Sequence, residues 1–197
     1  MSRSSDLHGA APDSSEFALL IFDLISDFEF EDGELMLRRA LVLAPRIAKL
    51  KARAKAAGVP TIYVNDNRGR WRSDRAQIVA HCVRPRARGR KLVQQIKPES
   101  DDYFILKPKH SGFFATPLHS LLEGIGVRTV ILTGVTSHQC ILFSATDAYV
   151  RDFELIIPRD CIAAMEPRQT RAALDIFSTA LKADTRPSSK VTFRSAR

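Results

Sequence analysis

Three residues of this 197-residue chain are of the types that together hydrolyse a carbonyl compound: an acid, an amine and a thiol. Cys140 is the sharpest signal. It follows TGVTSHQ, and Thr136 with Gln139 fits the Ser/Thr-x-x-Glu/Gln box that opens a helix. The thiol would then sit in a first helical turn, where unpaired N–H groups and the positive dipole end favour a thiolate. The same N–H groups can hold an oxyanion. Asp23 closes the apolar run FALLIFDL, where a carboxylate must be solvated, paired or at work; Asp27 is a weaker candidate in the loop beyond. Lys107 closes YFILK and precedes PKHSGFF, with Lys109 competing for its role. A thiol needs a base within hydrogen-bond reach, and a cation beside both stabilises the thiolate and keeps the carboxylate ionised. Taken singly, each residue has a plainer reading: a small buried thiol, an acid bonded to loop amides, a solvated strand-end lysine. Cys82 and Cys161 read as packing residues. Three cysteines without CxxC spacing argue against a disulfide framework.

The elements that must position these groups alternate along the chain. FALLIFDL is a short continuous apolar run, as expected of a strand covered on both faces. Met36, Ala40, Leu43, Ile47, Leu50 and Ala54 then form one helical stripe, with a kink or fresh start predicted at Pro45. Gly58 ends that helix, and TIYVND (61–66) reads as the second strand. AGVPTIYV and IGVRTVIL share the same helix-to-strand joint, which points to repeated βα units and a parallel sheet. YFILK (103–107), FELIIP (153–158) and KVTF (190–193) supply further strands. Residues 118–122, 137–150 and 168–181 supply helices. The expected architecture is a three-layer α/β domain over residues 17–182, between a flexible tail (1–16) and a basic segment (183–197) whose first residues, 183–189, are also flexible. In such sheets, sites form outside the carboxyl ends of the strands, where Asp23, Lys107 and Cys140 would emerge on one edge.

These segments carry a family resemblance. ALLIFDLISDF (18–28), KPKHSGFFATPLHSLLEGIGVRTVILTGVTSHQC (107–140) and ATDAYVRDFELIIPRDC (145–161) resemble, in this order, the isochorismatase-like cysteine hydrolases, which include nicotinamidases, N-carbamoylsarcosine amidohydrolase and ureidoacrylate amidohydrolases. The resemblance implies an α/β/α fold with a six-stranded, mostly parallel sheet of Rossmann-like topology. It implies Asp23 as general base, Lys107 as neighbouring cation and Cys140 as nucleophile. It further implies a cis peptide before Thr136 that turns the Thr136 and Cys140 N–H groups toward the oxyanion, and assembly as a homodimer or homotetramer. The chain departs from nicotinamidases in NDNRGRWRSD (65–74), where Asn67 replaces the histidine of a zinc motif. The five histidines show no ligand spacing, so no metal and no cofactor are expected. The cysteine argues for C–N hydrolysis over the vinyl-ether cleavage of true isochorismatases, which needs the acid alone. His138 stands where many members carry an acid.

Phe28, Asn67, Trp71, Phe113, Phe114 and His138 are candidate pocket residues, and Arg68, Arg70 or Arg72 could clamp a substrate carboxylate. The expected partner is a small molecule, acidic or ureido in character. The formal charge of +8 could instead serve nucleic acid, through a basic binding module of the same fold that has lost its activity. However, much of the excess lies in Arg84–Lys91 and the C-terminal segment, no aromatics interleave with it, and no nucleic-acid partner is expected. A thiol redox enzyme pairing Cys140 with Cys161 is a further reading. With no apolar run near the roughly 20 residues of a membrane helix and no apolar centre in MSRSSDLHGAAPDSSEF, a cytoplasmic protein is expected.

Overall fold

The computed structural model describes residues 11–67, 69 and 73–193. Strand β1 (Phe17–Phe22) lies at the centre of the sheet because every one of its side chains is apolar and buried. Ala18, Leu20 and Phe22 point into one core layer, and Phe17, Leu19 and Ile21 into the other. The remaining strands are β2 (Thr61–Asp66), β3 (Tyr103–Lys107), β4 (Thr129–Val135), β5 (Glu154–Ile156) and β6 (Ile162–Ala163). Their order is β3-β2-β1-β4-β5, with β6 paired to the end of β4, and all pairings are parallel.

One face is covered by helix α1 (Gly33–Ala56), with α2 (Arg75–Val83) and α3 (Arg90–Gln95) at its flank. On the opposite face lie α4 (Leu118–Ile125), α5 (Leu142–Tyr149) and α6 (Pro167–Thr179). This is the expected three-layer domain. Among the described residues, no helix is long and apolar enough to cross a membrane.

Several expectations are corrected. Helix α1 runs through Pro45 without a fresh start. Pro45 faces solvent, where the carbonyl it leaves unbonded can be hydrated, and the buried stripe on the far side is unbroken. Residues 190–193 form no strand; a 3₁₀ turn spans Ser188–Lys190, and Val191 N–H bonds back to Ser188 O. The sixth strand is Ile162–Ala163 instead. Nor are residues 183–193 loose. Asp184 bridges β5, Asp160 accepts from Ser188 N (2.7 Å), and Arg53 donates to the carbonyls of Ser188 and Val191. Residues 13–16 are likewise tied down: Tyr103 Oη donates to Asp13 (2.6 Å), and the Arg128 and Thr129 N–H groups donate to Glu16 O.

The register sets the site. Phe22 pairs with both Val64 and Gly134, and Asp66 pairs with Lys107, so the ends of four strands stop at one level. Gly134 makes this possible: its φ is 111°, and a Cβ there would lie 2.2 Å from Phe22 O.

Candidate active site

Asp23 is the first residue past β1. Its backbone turns into the left-handed region (φ 54°) and directs the carboxylate along the strand edge. Oδ1 accepts from Asp66 N (2.7 Å), and Oδ2 lies 3.0 Å from Lys107 Nζ. Lys107 ends β3 and is fully buried, an arrangement that requires a counter-charge. The same Nζ donates to Cys140 Sγ at 3.4 Å and has Asp66 Oδ2 at 4.0 Å. An acid, an amine and a thiol drawn from β1, β3 and the end of β4 thus meet at one point.

The peptide between Val135 and Thr136 is cis, as the resemblance implied. The chain then makes a π-helical turn over Ser137–Ile141 before α5, and Ile141 N reaches back five residues to Thr136 O (3.1 Å). Cys140 does sit in a first helical turn, but the expected capping box is absent. Thr136 makes no side-chain cap; its hydroxyl donates to Gln139 Oε1 (3.2 Å) instead. The chain's reciprocal box forms elsewhere, between Glu166 and Gln169 at the start of α6.

A cleft of about 230 Å³ opens beside the sulfur. Phe28, Phe30, Met36, Val135 and Met165 form its apolar walls. Asp23, Asp66, His110, Thr136, Gln139 and Cys140 converge on it with Ser26 and Asn65. A larger depression of about 560 Å³ lies at the opposite, amino-terminal edge of the sheet, against Phe17, Thr129 and Glu154. It holds neither the thiol nor the buried ion pair, so convergence of reactive groups, and not size, identifies the site.

Of the expected pocket residues, Phe28 lines this cleft. Phe113 does not: Ser111 Oγ accepts from its N–H, and its ring packs inward on Phe153 (6.1 Å), with the Arg151 guanidinium 5.2 Å away. Phe114 is exposed and outside the cleft. His138 also faces away, because the wide π turn presents Thr136, Gln139 and Cys140 to the cleft. Asn67 lines a neighbouring cavity of about 30 Å³, where its Oδ1 accepts from Gly69 N (3.0 Å). Asp27 lines that same cavity and is held by His81 Nε2 (2.8 Å), while Lys109 is exposed. Trp71, Arg68, Arg70 and Arg72 lie outside the described residues. Among the described residues no group of three His, Cys, Asp or Glu side chains could hold a metal. Asp66 was legible as another acid at a strand end; His110, Met36 and Met165 carried no comparable signal.

The wall carrying Phe28 is clamped by the basic run. Arg88 donates to Phe28 O (2.9 Å), Arg84 to Glu29 (3.1 Å), and Gly89 N to Asp27 O (3.0 Å). A Cβ on Gly89 would lie 2.0 Å from Ser26 O and 2.9 Å from the Phe28 ring. Gly89→Ala is therefore expected to push this wall out of place, costing about 1–3 kcal/mol of stability and up to about 100-fold in kcat/KM. Thermal unfolding and steady-state kinetics check this.

Burial pushes the Cys140 thiol from its ordinary 9.0 up to about 12; the Asp23 charge adds to this and the Lys107 charge opposes it. Burial works against the Lys107 ammonium, but the charges of Asp23 and Cys140 hold it above its ordinary 10.5. Cys161, fully buried, also rises to about 12. All three are raised, so the folded state retains protons that the unfolded chain gives up. Their contribution to stability is complete below about pH 9 and is lost as pH rises toward about 12, with Lys107 entering only above 10.5. Urea midpoints measured across that window should fall steadily after a flat neutral region.

Comparison with known proteins places this fold in a family. The isochorismatase domain matches residues 17–184, and the chain belongs to this family. It is 40% identical over 167 residues to the uncharacterized isochorismatase family protein YaaI of Bacillus subtilis, covering 85% of this chain and 91% of that one. It is 27% identical over 174 residues to the ureidoacrylate amidohydrolase RutB of Methylorubrum extorquens, covering 75% and 70%. The N-carbamoylsarcosine amidase structure from Thermoplasma acidophilum superposes with a TM-score of 0.69 at 24% identity, covering 89% and 98%, and shares the fold.

Proposed function

We propose that the protein is a cysteine hydrolase cleaving a C–N bond of a small amide, ureido or related compound, with Asp23, Lys107 and Cys140 as its catalytic triad. One observation carries the reading: Lys107 Nζ is 3.0 Å from the Asp23 carboxylate and 3.4 Å from Cys140 Sγ, beside an open cleft. The amidohydrolase name of one relative supports it.

The thiol is protonated at neutral pH, so its proton must leave as it attacks. Asp23 takes that proton while Sγ bonds to the substrate carbonyl carbon. Lys107 offsets the charge on sulfur, and the Thr136 and Cys140 N–H groups hold the oxyanion. The protonated Asp23 then gives its proton to the leaving nitrogen as the C–N bond breaks. Water hydrolyses the remaining acyl thioester. Vinyl-ether cleavage by Asp23 would leave the cysteine without a task.

Among the described residues, the cleft walls offer a substrate carboxylate no arginine or lysine, and Asp23 and Asp66 both border the cleft. The apolar walls suit a neutral, partly apolar group. The test is an ammonia-release screen over amides, ureido acids and nicotinamide, pairing neutral compounds with carboxylated analogues. Turnover by the wild-type protein and none by Cys140→Ala is expected; equal release by both would reject the scheme.

A further inference from the structure

Two basic groups flank the sulfur. Lys107 Nζ, fully buried, stands at 3.4 Å with the Asp23 carboxylate beside it. His110 Nδ1 lies 4.0 Å from Sγ, its ring exposed and bordering the cleft. His110 is three residues past Lys107, on the loop leaving β3. Its ring packs against that of Phe143 from α5, with centroids 5.4 Å apart at 52°. The imidazole is thus placed by two elements beside the reacting atom.

We propose that His110 is the general base for the second half of the reaction, the hydrolysis of the acyl thioester. This rests on Cys140 being the nucleophile. When the acyl group is on sulfur, its carbonyl carbon is one bond from Sγ, and the attacking water enters from the cleft mouth, past His110. Asp23 is less suited to meet that water. It also borders the cleft, but its Oδ1 accepts from Asp66 N and its Oδ2 is paired with Lys107 Nζ at 3.0 Å. Neutral His110 takes a proton from water as the water oxygen bonds to the carbonyl carbon. The tetrahedral intermediate collapses, the C–S bond breaks, and the departing sulfur takes the proton from the imidazolium. The carboxylic acid leaves, and thiol and neutral imidazole are restored. The thiol and imidazole need only be within one water of each other, which 4.0 Å allows.

The test uses p-nitrophenyl acetate, whose activated acyl group loads a reactive cysteine without demanding the natural substrate. Wild-type protein should release nitrophenolate through Cys140 and turn over. His110→Gln should show an initial release of one equivalent at the wild-type rate, then turnover slowed by about 100-fold, with acetyl-Cys140 accumulating in the mass spectrum. Added imidazole should restore part of that turnover in His110→Ala. Turnover in His110→Gln equal to wild type overturns the proposal. So does a parallel fall of both phases, which would mark a positioning role. If the wild-type protein shows no release that depends on Cys140, the nucleophile itself is wrong and this step falls with it. Failure of the nucleophile is therefore read in wild type, and failure of the base only in the variants.

Discussion

Cys140→Ala is expected to abolish turnover while leaving the fold in place. The side chain loses one atom, from a residue 8% exposed at the edge of the core behind α5, so the stability change should stay near about 1 kcal/mol. Chemistry loses the atom that bonds to substrate. Removal of a nucleophile typically costs on the order of 10⁴-fold or more, because the base and oxyanion donors act only through it. Cys140→Ser should be nearly as poor: an alcohol is harder to deprotonate than a thiol, and burial already disfavours the anion at this position. Initial rates of ammonia release, read beside thermal unfolding, separate lost chemistry from lost structure.

Asp23→Asn is expected to damage both. Asparagine tolerates the left-handed backbone at φ 54°, so the turn should survive. The charge does not. Without it the thiol has no base, and loss of a general base costs about 10²–10⁴-fold. Lys107, fully buried, also loses its partner at 3.0 Å. Breaking a buried pair costs about 3–5 kcal/mol, and the lower end applies because the Asp23 side chain is 15% exposed. With only the half-exposed Asp66 carboxylate left, at 4.0 Å, burial dominates and the ammonium releases its proton more easily than an ordinary lysine. In the variant the unfolded chain therefore binds the extra proton, and the Lys107 contribution to stability rises with pH, opposite to its wild-type sign, while the loss from the buried cysteines above about pH 9 remains. Chemical denaturation between neutral pH and about pH 9, below the cysteine window, should show that rise in the variant and a flat wild type.

The parts of this molecule that sequence makes legible are those set by continuous apolar runs and strand ends. FALLIFD announces a doubly covered strand ending in an acid, and YFILK a strand ending in a lysine; a parallel sheet gathers both at one edge. The short elements were not legible. Helix α2 buries only Cys82 fully, and its amphipathic signal is masked by the basic residues that follow. β6 has two residues and exists only because Gly134 and Val135 have a free edge there. The π turn defeats side-chain reasoning directly. One extra residue in the turn rotates the positions that face the cleft, so His138 points away and Gln139 faces in. Phe113 was misplaced for a similar reason: a Ser111-bonded turn decides its direction, and no periodicity records that. The arginines of the 84–91 run read as loose surface charge, yet Arg84 and Arg88 brace the wall that carries Phe28.

The covalent step is tested most directly by rapid acid quench of the wild-type protein during turnover of its best amide, followed by mass analysis of the peptide containing Cys140. This peptide should carry the acyl portion of the substrate, the adduct should disappear when substrate is exhausted, and Cys140→Ala should show neither adduct nor turnover. Steady ammonia release from a protein whose Cys140 stays unmodified, undiminished in Cys140→Ala, would contradict it.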